Sequence, residues 1–175
     1  MSPRRRFLAF AMVGLLGLAT GLAVAWWRHA ERGVTASAAP LFQASFPDVM
    51  GQEQALAQWK GRVLVVNFWA TWCPPCVKEM PDLQTVAQEY RERGVTVIGL
   101  AIDNPKAVAA FREQHGITLP LLVAGAGGSE LGRLLGNQAG ALPYTILIDR
   151  KGRIVQSRMG QVDAAQLRLW LDAQL

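Results

Sequence analysis

The chain has 175 residues, of which 51% are hydrophobic and 18% charged, with a formal net charge of +5. That is room for one domain plus an appendage, with too much apolar character for disorder over most of the length. The charge excess sits in the leader. Residues 1–39 carry Arg4, Arg5, Arg6, Arg28 and Arg32 against Glu31 alone, whereas residues 40–175 hold 13 basic and 12 acidic side chains. The folded part therefore lacks the basic surplus that a nucleic-acid binder needs.

Residues 7–27 form an uncharged run of 21. As a helix they would span about 31 Å, the thickness of a bilayer core. The arginines before the run keep residues 1–6 in the cytoplasm by the positive-inside rule. Everything after Trp27 is then exported, on the periplasmic side of a single-pass anchor in the inner membrane. A cleaved signal peptide is the competing reading, because Ala23-Val24-Ala25 and Ala36-Ser37-Ala38 both have small-x-small spacing. Arg4-Arg5-Arg6-Phe7-Leu8 is also a short match to a twin-arginine export signal. Residues 28–40, rich in Ala, Ser, Thr and Gly, read as a linker, and the domain as 41–175.

Within the domain, Phe46, Pro47, Asp48 and Gly51 indicate a short edge strand and a turn. Residues 63–68 are a near-continuous apolar run, the pattern of a central strand buried on both faces. A loop at 70–76 leads into a helix from about Pro75 to Arg93, with Met80, Leu83, Ala87 and Tyr90 on one face, and Gly94 stops it. A second buried strand is expected at 95–102 and a helix at 105–115. A short strand at 121–123 precedes a helix capped by Ser129 and ending near Leu135. A strand at 144–148 turns through 149–152 into 153–158, and an amphipathic helix closes the chain at 164–175. This order predicts an α/β fold, a mixed sheet sandwiched by helices.

The only cysteines, Cys73 and Cys76, stand in Trp72-Cys73-Pro74-Pro75-Cys76, after a buried strand and at the start of a helix. A structural staple is the bland reading, but so short a loop removes little unfolded-state entropy. Disulfide exchange instead needs an attacking thiolate and a second thiol that releases the partner. A helix N-terminus favours the thiolate, so Cys73 is the expected attacker and Cys76 the resolving thiol. No cofactor beyond this redox pair is called for. A zinc knuckle lacks further ligands, since His29 and His115 lie in the linker and at a helix end, and a haem attachment site would need His where Val77 stands.

The stretch 65–76, with Glu79-Met80-Pro81, resembles exported, membrane-anchored TlpA/ResA-type thioredoxins, and Gly140-Ala141-Leu142-Pro143-Tyr144-Thr145 with 148–152 matches the far half of the same pattern. The resemblance covers about 42–175. It implies a thioredoxin-like fold, reduction of disulfides in exported proteins, cytochrome c maturation as one route, and a membrane protein that donates electrons. It also implies a cis proline at Pro143 beside the redox pair and a carboxylate, Glu79, that relays protons. Glu79 lies one helical turn after Cys76 and so shares its face; the plain alternative is a solvated first-turn Glu. Asn67 stands where cytosolic thioredoxins carry a buried Asp. The candidate sites are Cys73, Cys76 and Glu79 for catalysis, Trp72, Leu142 and Pro143 for substrate, and Pro74 and Pro75 in the redox loop; Trp69 reads equally as core. Two rivals remain. A peroxiredoxin-like peroxide scavenger usually has Thr where Ala70 stands, and a Cu(I)-delivery protein would use the two thiolates but lacks a nearby His.

Overall fold

The computed structural model describes residues 36–175. The expected anchor at 7–27, the arginines before it and most of the linker lie outside them. The elements are β1 (Ala36–Ser37), α1 (Ala39–Gln43), β2 (Ser45–Pro47), β3 (Glu53–Ala55), β4 (Val63–Trp69), α2 (Pro74–Glu89), β5 (Val95–Ala101), α3 (Pro105–His115), β6 (Leu121–Val123), α4 (Gly125–Leu134), β7 (Tyr144–Ile148), β8 (Arg153–Met159) and α5 (Ala164–Asp172).

Six strands form one sheet in the order β1-β8-β7-β4-β5-β6. β4, β5 and β6 run parallel, as alternation with helices demands, and β7 and β8 add the antiparallel hairpin. All seven residues of β4 are buried, which is why its sequence is an unbroken apolar run apart from Asn67. Alternate side chains divide between two cores. Val63, Val65 and Trp69 pack with Cys76, Met80, Leu83 and Val86 of α2, Val108 and Phe111 of α3, and Leu167 and Leu171 of α5. Leu64, Val66 and Phe68 pack on the other face with Leu41 of α1 and Leu131 of α4.

The packed unit begins before Leu41. Ala36 and Ser37 pair with Ile154 and Arg153, and the Ala38 N–H donates to the Gly152 carbonyl. Small residues that look like linker in sequence therefore form the edge of the sheet. β1 covers only the start of β8, so among the described residues no strand pairs with the outer edge of β8 over 155–159, whose inner edge pairs with β7. The first half of the domain also holds a hairpin, β2 with β3, whose second strand no sequence pattern announces. The helix expected to be capped at Ser129 starts five residues earlier, with Ala124 at its N-cap. Gly128 lets that first turn pack tightly, since a Cβ there would sit 2.7 Å from Ala124 Cβ and 3.2 Å from Ile102 Cγ1. The long helix ends at Glu89, followed by a 3-10 turn (Arg91–Arg93), and continues through Pro81 as one helix.

Candidate active site

The C-terminal end of β4 delivers the chain to Ala70, where the loop begins. Asp103, just past β5, braces it, accepting from the Thr71 N–H at 2.9 Å and the Thr71 hydroxyl at 2.6 Å. Partial burial raises the Asp103 carboxyl, but hydrogen bonds from the Thr71 hydroxyl, the Asn104 N–H and the Thr71 N–H outweigh it and hold the group below its usual range. The brace is therefore an ionised carboxylate at neutral pH.

Cys73 occupies the N-cap of α2 in an extended conformation (φ −101°, ψ 103°), which is where a residue preceding proline is driven. Pro74 and Pro75 fill the first two helical positions, where a missing N–H costs nothing. Cys73 and Cys76 form a disulfide with Cα atoms 5.3 Å apart. Cys73 keeps 5% of its surface exposed and Cys76 none, the expected order but a small difference. Pro74 and Pro75 are exposed. Trp72 projects into solvent at 66% exposure, whereas Trp69 is wholly buried and packs at a tilt against Phe111 with ring centroids 4.8 Å apart, so it is core.

The Leu142–Pro143 peptide is cis, as the resemblance implies. Pro143 is buried at the entry to β7, and Leu142, half-buried, packs against the cluster that contains both cysteines. Because Tyr144 pairs with Phe68, this segment lies at the same end of the sheet as the redox loop. Asn137 fixes its approach, accepting from the Ala141 N–H and donating to the Ala141 carbonyl. Met159, which pairs with Tyr144 and is 58% exposed, adds an apolar side chain to this end.

Glu79 is wholly buried, not a solvated first-turn residue. Its Oε1 accepts from Asn67 Nδ2 at 2.7 Å and its Oε2 from the Val162 N–H at 2.8 Å. Asn67 Nδ2 also donates to Thr145 Oγ1 at 2.9 Å. Burial raises the Glu79 carboxyl to about 7 against the two hydrogen bonds, which pull it down, with a smaller upward push from Asp82. A group poised there exchanges protons readily at neutral pH.

The structure thus gathers Cys73, Cys76, Pro74, Pro75, Glu79, Leu142, Pro143 and Trp72 at one end of the sheet. Asp103, Asn137, Thr145 and the Val162 N–H escaped sequence reading, because each acts across 4 to 83 residues of chain through contacts that only the tertiary fold makes. Among the described residues no three His, Cys, Asp or Glu gather as a metal site.

A disulfide across the N-terminus of a helix, a cis proline at the same sheet end and a buried carboxyl poised near neutrality define a thioredoxin-like thiol–disulfide oxidoreductase. The redoxin family matches residues 35–167, and this chain belongs to it. The thiol-disulfide oxidoreductase ResA of Bacillus anthracis is 34% identical over 126 residues, 71% of this chain and 70% of that protein. ResA of Geobacillus kaustophilus is 31% identical over 127 residues, 72% and 71% of the two chains. Among solved structures, a DsbF homologue from Corynebacterium diphtheriae is 29% identical with a TM-score of 0.68, covering 77% of this chain and 86% of that one. The protein is a disulfide oxidoreductase of the ResA type that acts on thiol-containing proteins.

Proposed function

We propose that this chain reduces disulfides of exported proteins from the outer side of the cytoplasmic membrane, held there by residues 7–27, with cytochrome c maturation as one route. The observation that carries it is the Cys73–Cys76 pair at the start of α2 on the same helix as the buried Glu79 carboxyl. In the reduced protein, the Cys73 thiolate attacks a substrate disulfide. A Cys73–substrate bond forms, the substrate bond breaks, and the leaving thiolate takes a proton. The Cys76 thiol then gives its proton to Glu79 and attacks Cys73, so that the Cys73–Cys76 bond closes and the second substrate thiolate departs. Two electrons pass to the substrate, and a membrane protein that donates electrons restores the dithiol. Trp72, Leu142 and Pro143 form the surface on which the extended substrate lies. The redox-active disulfide is the only redox group this scheme uses.

Trapping tests this reading. Cys76→Ser should accumulate mixed disulfides on Cys73 with exported proteins in the native host, and Cys73→Ser should accumulate none. Capture of cytoplasmic proteins alone would overturn the location, and trapping by Cys73→Ser but not by Cys76→Ser would reverse the two roles.

A further inference from the structure

Along β4, Asn67 is the one polar side chain in a strand of otherwise apolar residues, and it is wholly buried. Its neighbours in register are Thr145 on β7 and Gly99 on β5, so Asn67 and Thr145 point to the same face of the sheet, the face under α2. One nitrogen, Nδ2, serves both Thr145 and Glu79, while the oxygen Oδ1 is buried with no donor. A buried acceptor left unpaired is destabilising, because it has given up water without gaining a donor. An apolar residue like its neighbours would avoid that cost, so what Asn67 contributes must lie in its bond to Glu79.

We propose that Asn67 is a positioning residue for disulfide exchange: pinned by Thr145, its amide holds the Glu79 carboxyl in place and bonds to it in both protonation states. This deepens the reading of Glu79 as the proton acceptor and rests on it. An amide carries both donor and acceptor. To ionised Glu79 it offers the Nδ2 hydrogen, as observed. When Glu79 has taken a proton, a half-turn of the amide presents Oδ1 to the acid O–H and to the Thr145 hydroxyl, which can itself donate or accept. Leucine could do neither. Aspartate would set a second carboxyl against Glu79, and two such groups ionise as a coupled pair. The other charged and titratable groups around the carboxyl are few. Cys76 and Asp82 lie on its own helix, Asp163 follows Val162 and caps α5, and Arg158 ends the same row on β8. β4 and β5 carry no titratable residue, and the one on β7, Tyr144, packs in the opposite core.

The test is a carboxyl carbon NMR titration of Glu79 on the full chain in detergent, assigned with Glu79→Gln, alongside the pH profile of insulin disulfide reduction. The native titration is expected near 7. In Asn67→Leu, loss of the donor should move it up by about one pH unit. The inflection of the rate profile should follow, with reduction about fivefold slower at pH 7 and recovered at pH 9. Asn67→Asp, which keeps the shape if Leu does not fold, should give two coupled steps, the upper one above the native value. A Glu79 titration unmoved in the folded variants overturns the assignment to Asn67 and leaves Glu79 standing. A titration that moves while the rate profile stays fixed overturns the proton role of Glu79, and the proposal with it.

Discussion

Replacing Glu79 with Gln removes a group whose proton affinity differs between the folded and unfolded chain. Folded, the carboxyl titrates at about 7; unfolded, at 4.5. Between those values the folded state holds the extra proton, so the native protein should lose stability as pH rises from about 4.5 to about 7, by roughly 3 kcal/mol. Glu79→Gln should lack that fall, and urea unfolding of both chains at pH 5 and pH 8 reads the difference in slope. The same variant should slow disulfide exchange more near neutral pH than at pH 9, where hydroxide can take the proton. Equal slowing at every pH would leave Glu79 as a structural carboxyl only. The identity of this residue was legible from its place one turn after Cys76. Its complete burial was not, because the Val162 N–H that covers it comes from 83 residues away.

At the level of elements, the fit between β5 and its neighbours turns on one glycine. A methyl group at Gly99 would stand 2.7 Å from Leu121 Cδ2 and 2.9 Å from Trp69 Nε1. Both partners are buried, so Gly99→Ala should cost about 1–3 kcal/mol, read as a lower denaturation midpoint with an unchanged slope. Elements with strong periodicity or clear punctuation were legible in sequence. α3 runs Pro105–His115 because proline and Asn104 open it and Gly116 closes it, and β7 runs Tyr144–Ile148 because its apolar run is bounded. The misses share a cause. β3, α4 and β1 are short or glycine-rich and take their form from what they pack against, which local pattern does not record.

For the molecule as a whole, direction of electron flow is the property that the redox loop should set. Strong oxidants of this kind stabilise the attacking thiolate, which stabilises the dithiol and raises the potential. Pro74 and Pro75 offer Cys73 no N–H and no charge. The potential should therefore lie well below about −180 mV, at the reducing end of the range. Equilibration of the full chain with glutathione buffers measures it, and a value near about −120 mV would mark an oxidant instead.

β1 is only two residues long, yet it is the strand that covers the outer edge of β8 at its start. An open strand edge is a template on which other chains can stack, and natural sheets guard against it with charge or cover. Here Arg158 guards the far part of the strand, while the near part relies on Ala36, Ser37 and the Ala38 N–H bonded to Gly152. A soluble fragment cut at Leu41, where the composition changes, would lose that cover and bare the backbone beside Ile154. Such a fragment should aggregate more readily on heating than one starting at Val34, which light scattering of the two side by side would reveal. The few residues that resemble a spacer are thus the strand that closes the near edge of the sheet.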